Sequence, residues 1–129
     1  MLLLRATENS LTALLIDPRS GHPLARSRAR EAREPLSAIA AALSRAKVSP
    51  SRLGGVVAAF GDAPFSVVRA AAVAGNAFSF ALGIPALGFA ARESEAADIK
   101  EGARLIERAP RGSVIRARYS AEPNITKPK

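Results

Sequence analysis

Residues 53–69 read LGGVVAAFGDAPFSVVR, and the order of chemistries along that stretch decides the fold. Leu53–Phe60 carries no charge and pairs two valines, the composition of a strand buried on both faces. Gly61-Asp62-Ala63-Pro64 then turns the chain, with proline where the start of a helix tolerates a missing N–H. From Pro64 to Leu82 the residues apart from Arg69 and Asn76 are apolar or small, which predicts a helix. Gly83-Ile84-Pro85 stops it, and Pro85–Phe89 reads as a second short buried strand. Strand, crossover helix and strand together form the repeating unit of a parallel sheet.

Working outward toward the N-terminus, Leu2–Ala6 and Leu11–Ile16 are apolar runs of strand length. The turn-forming sequence Asp17-Pro18-Arg19-Ser20-Gly21 separates the second run from a third strand over Pro23–Ser27. Leu36, Ile39, Ala40, Leu43 and Ala46 recur at helical spacing, and Ser49-Pro50-Ser51 ends that helix. Toward the C-terminus, Glu93–Arg108 is an amphipathic helix with Ile99, Ala103 and Ile106 on one side, ended by Pro110-Arg111-Gly112. Ser113–Tyr119 is expected to add a strand, and Glu122–Lys129 to form a tail. The order β-β-β-α-β-α-β-α predicts an α/β fold: a meander followed by two crossovers, giving a mixed sheet with helices on both faces. That is the ribonuclease-H-like arrangement of an actin-like ATPase half-domain. The expected division is a domain over 1–110, and a short extra strand with a basic tail over 111–129.

Composition excludes several chemistries. The chain has 129 residues, no cysteine and one histidine, His22. Disulfides, thiolate catalysis and cysteine-ligated metals are ruled out, as is any site needing two imidazoles. Ser10 and Ser66 therefore lack the partners of a hydrolase triad. The formal charge is +8, carried by the two ends: between Leu53 and Ala91 the only charges are Asp62 and Arg69. Arg26, Arg28, Arg30 and Arg33, with the Arg116 and Arg118 region, are the candidate contacts to a nucleic acid, against a merely solvated surface. Ala70–Ala91 is uncharged and long enough to span a bilayer. Its Ala and Gly content and the break at Gly83-Ile84-Pro85 favour a buried helix and strand, so no membrane is expected and the chain is read as cytoplasmic.

The central stretch resembles the TsaB (YeaZ) family, whose members run from a hydrophobic strand through G-P-G-S-F-T-G-L-R into a helix. Gly61, Phe65 and Arg69 fall on identical positions and Ser66 stands for the threonine, whereas Asp62, Ala63, Pro64 and Val67 depart. Leu82-Gly83-Ile84-Pro85-Ala86-Leu87-Gly88 is similar to the family's L-G-I-P-V-x-G. The resemblance spans residues 1 to about 108 and is specific over 53–89. It implies a non-catalytic subunit that supports a TsaD-type enzyme in forming threonylcarbamoyladenosine on tRNA. Nucleotide-binding relatives in the superfamily place a D-x-[ST] turn after the first strand. Here Arg5-Ala6-Thr7-Glu8 puts an arginine at the acid, so no catalytic residue, cofactor, metal or bound ATP is expected. The alternative is a basic tRNA-binding or scaffold module outside that pathway.

The helix from Pro64 carries one more expectation. A helix apolar all round must be covered on every side, and one sheet face covers only half. Its small residues admit a close neighbour, and members of the family pair through this helical face. The contact is therefore expected at Val68, Arg69, Ala71, Ala72 and Gly75, in a homodimer or with a TsaD-like subunit as heterodimer partner. The single cation Arg69 would meet either an acid of the partner or Asp62.

Overall fold

The computed structural model describes residues 1–7, 10–29 and 35–118. The first strand, β1 (Leu2–Thr7), becomes the middle of the sheet. It pairs antiparallel with β2 (Ser10–Ile16), Leu2 opposite Leu15 and Thr7 opposite Ser10, and β2 pairs antiparallel with β3 (Pro23–Ala29). On its other side β1 runs parallel to β4 (Val56–Phe60), Leu2 beside Val56, and β4 runs parallel to β5 (Ala86–Ala90). The sheet order is β3-β2-β1-β4-β5. The helices are α1 (Pro35–Ala46), α2 (Phe65–Leu82) and α3 (Glu95–Ile106). The expected element order stands up to α3, with β4 beginning at Val56 rather than Leu53 and a 3₁₀ turn at Pro50–Arg52 before it.

Side chains alternate across the strands and build two core layers. Leu2, Leu4, Ala6, Ala13, Leu15, Val56 and Ala58 face α1 and α2. Leu3, Leu14, Ile16, Val57, Ala59 and Phe89 face α3 through Ile99. The layers are unequal: two helices cover the first face and α3 alone lies on the second, packing on β4 and β5. A helix about 10 Å across covers roughly two strands spaced about 4.8 Å apart, so among the described residues the β2–β3 half of that face has no helix above it.

α2 is the element that sequence reading put in doubt, being long and apolar enough to cross a membrane. Here it lies on the sheet, with Val67, Val68, Ala71, Ala72, Ala74 and Gly75 buried. Gly83 ends it in the left-handed region (φ 66°), where glycine carries no steric penalty, and Ser79 Oγ donates to the Ile84 carbonyl at 2.5 Å.

Past α3 the expectation of a further strand fails. Residues 113–118 form no regular element, yet they belong to the fold. Ile115 is buried in the core beside α2, in space left by Gly75, where a Cβ would lie 2.4 Å from Ile115 Cδ1. Asn76 holds the segment from both sides: its Oδ1 accepts from Ile115 N at 2.7 Å and its Nδ2 donates to the Ile115 carbonyl at 2.9 Å. The Ser113 carbonyl also accepts from Ala86 N of β5 at 3.3 Å, so the segment is held at the sheet edge and on α2 without forming a strand ladder. Asn76→Ala removes both bonds and leaves two part-buried backbone groups unpaired. A loss of about 2 kcal/mol is expected in urea unfolding, together with faster tryptic cleavage at Arg116 in the native state.

Candidate functional site

Among the described residues two surfaces stand out as uncovered by this packing. The first is the outer face of α2. Ser66, Arg69, Val73, Ala77 and Phe80 are exposed and recur at steps of three and four, one stripe along the helix. Val73 is 62% exposed and Phe80 90%, far from the usual place of a phenylalanine.

This corrects the expected contact residues. Val68, Ala71, Ala72 and Gly75 face the chain's own sheet and are buried, so they present nothing to another chain. Arg69 alone of the five is exposed. The small residues bring α2 close to its own sheet, and that proximity is where their size is used.

The second surface is the open half of the α3 face. A groove of about 570 Å³ is lined by Arg5 and Thr7 of β1, Ser10 and Thr12 of β2, Arg26, Ser27 and Arg28 of β3, Arg45 of α1 and Glu95 of α3. The register places Arg5, Thr12 and Arg28 side by side across three strands. Arg45 reaches the edge strand from the other layer and donates to the Arg26 carbonyl at 2.5 Å.

An ion-pair network closes one side of this groove. Asp98 is fully buried: its Oδ2 accepts from Arg5 Nε at 2.8 Å and its Oδ1 from the Arg92 backbone N–H at 2.6 Å. Glu95 accepts from both Arg26 terminal nitrogens at 2.7 and 3.3 Å, and lies 3.7 Å from Arg5 Nη1. Both acids sit in the first turn of α3, where the helix dipole favours negative charge, and Ser94 caps that turn by accepting from Ala97 N. Farther along α3, the hydrogen bond from Arg104 holds the Glu101 carboxyl below the usual carboxylate range, with Arg92 adding to the effect.

The predicted basic contacts are thus divided. Arg26 is already committed to Glu95, Arg28 lines the groove, and Arg30 and Arg33 lie outside the described residues. Arg116 and Arg118 sit in the segment beyond α3 and do not line the groove. Arg5, read as the replacement for a catalytic acid, is the partner of a buried carboxylate. The sequence reading missed Asp98: Glu95 and Asp98 pass for a solvated helix face, and only the sheet order brings Arg5 opposite them. Among the described residues no three His, Asp or Glu side chains converge on one point that could hold a metal.

A five-stranded mixed sheet of this order, with two crossover helices on one face and one helix on the other, defines a ribonuclease-H-like α/β domain. Among solved structures it is similar to YeaZ from Pseudomonas aeruginosa, at 22% identity and a TM-score of 0.59. It is also similar to a protein described as uncharacterized with similarity to the peptidase YeaZ from Pseudomonas aeruginosa, at 24% identity and a TM-score of 0.56. Each comparison covers 69% of this chain and 42% of the other, so the match spans less than half the length of either structure. No protein-family model matches the sequence, and neither does any curated protein.

Proposed function

We propose that the chain is a non-catalytic, TsaB-like subunit that docks through the outer stripe of α2 on a TsaD-type enzyme, supporting threonylcarbamoyladenosine formation on tRNA in the cytoplasm. The observation that carries this reading is the exposed line Val73, Ala77 and Phe80 on a domain with the YeaZ fold. Apolar side chains at helical spacing, interleaved with small ones, suit a facing helix, and Arg69 at one end offers a charge to fix its register. Without the enzyme subunit, a second copy of the chain is the competing occupant of the stripe.

Sedimentation of the chain with and without a TsaD-type subunit tests the proposal. The wild type is expected to form a stoichiometric complex. Val73→Glu and Phe80→Glu should each weaken it by about 30-fold or more, the scale of losing one interface anchor. Both residues are exposed, so unfolding stability should change by no more than about 0.5 kcal/mol. A wild-type chain that stays monomeric at high concentration and ignores the enzyme subunit would end this reading.

A further inference from the structure

The groove over the β2–β3 half of the sheet is independent of α2, on the opposite face, and its chemistry differs. Among the described residues its lining includes four arginines, the hydroxyl residues Thr7, Ser10 and Thr12 on the α3 face, and one carboxylate. That carboxylate, Glu95, is already engaged by Arg26 and Arg5, and Arg5 is further held by buried Asp98. Among the described residues the acids at the groove, Glu95 and Asp98, are engaged by Arg5 and Arg26, whereas Arg28 and Arg45, on the edge-strand side, have no acidic partner. Ser10 is 6% exposed and Thr12 is half-buried; both are hydroxyl donors fixed on β2, with Thr12 between Arg5 and Arg28 in the sheet register.

We infer that this groove binds a phosphate group, with Arg28 and Arg45 meeting its charge and Ser10 and Thr12 donating from the floor. Guanidinium forks match the oxygens of a phosphate in pairs. Strand-borne hydroxyls add donors whose positions the sheet register sets in advance, so little order is lost on binding. A carboxylate ligand would use fewer of these donors, and a cation would meet excess positive charge. The volume falls in the range of small-ligand sites. Three consecutive residues of β3, the edge strand of the described sheet, belong to the lining, so the phosphate can belong to a compact ester or to a nucleic-acid chain.

Two probes separate those sources: pyrophosphate by calorimetry, and a single-stranded oligouridylate by fluorescence anisotropy, both at low salt with the full chain. At least one should bind. The double substitution Arg28→Gln/Arg45→Gln is expected to weaken that binding by tenfold or more. For the oligonucleotide it should also flatten the log–log salt dependence by about 1.4, the release expected for two single-strand phosphate contacts. Arg52→Gln/Arg111→Gln removes the same charge at the other end of the strands and should change affinity less than twofold. Binding of pyrophosphate identifies a compact ester as sufficient. Binding of the oligonucleotide alone identifies a phosphodiester chain. Failure of the wild type to bind either probe overturns the inference, and so does equal weakening by both double variants, which would reduce the effect to net charge. Because the test needs no second subunit, its result is separable from that of the docking proposal.

Discussion

Ala71→Glu is expected to unfold the chain rather than to change its association. Ala71 has no exposed surface and sits in the layer between α2 and the sheet, among Leu, Val and Ala side chains. A carboxylate there would lose its water with no cation or donor to replace it, and its extra atoms would push α2 off the sheet. An unpaired buried charge typically costs about 3–5 kcal/mol, a large part of the stability of a domain this small. Far-ultraviolet circular dichroism should show loss of helix at ordinary temperature, or a midpoint lowered by tens of degrees. Val73→Glu, two positions along the same helix, is the control: it faces outward and should keep its ellipticity. A folded Ala71→Glu variant that merely sediments as a smaller species would reverse the assignment of α2's two faces.

The second large effect is at Asp98. Asp98→Ala deletes a fully buried carboxylate and leaves the Arg5 guanidinium and the Arg92 N–H without their acceptor. The expected cost is about 3–5 kcal/mol in urea unfolding, most of it from the stranded Arg5 rather than from the lost bond itself. Arg5 lies 3.7 Å from Glu95, so part of its charge stays compensated, which favours the lower end of that range. Arg5→Met in the Asp98→Ala background should recover 1 kcal/mol or more, at roughly that scale. If the two losses simply add, the pair is not coupled and the network is surface decoration.

How much of this was legible beforehand varies from element to element. The strands declare themselves because Leu2–Ala6, Leu11–Ile16 and Val56–Phe60 are apolar runs broken only by Arg5 and Thr12, and position in chain order fixes how they connect. The rotation of α2 was misread because its Ala, Gly and Val residues carry almost no contrast between one side and another. The one available marker was Arg69: a helix with a single charge turns that charge to water, and steps of three and four from it reach Val73, Ala77 and Phe80. The groove was out of reach for a different reason. Ser10 and Thr12 share a strand face with Leu14 and Ile16, so alternation alone describes half of β2 as core and half as surface. Only the reach of α3 over β4 and β5 tells which half is which. The plug at Ile115 was invisible because a segment pinned by one asparagine has no periodicity to read.

The central place of β1 also shapes how the chain folds. β1 finds β2 within a few residues, by a contact that closes quickly, but its other neighbour begins at Val56, opposite Leu2. Until the residues of α1 and the turn after it have been placed, β1 carries an unsatisfied row of amides and carbonyls beside three consecutive leucines, Leu2, Leu3 and Leu4. Such an edge pairs with any other strand that offers itself, and long-range parallel pairing is the slow kind. The arrival of β4 is then the expected rate-limiting event, and a refolding rate that conservative substitutions in β4 leave unchanged would contradict it. A change that slows that arrival, even one that leaves the finished molecule as stable as before, lengthens the window in which two unfinished chains can pair through β1 and be lost to aggregation.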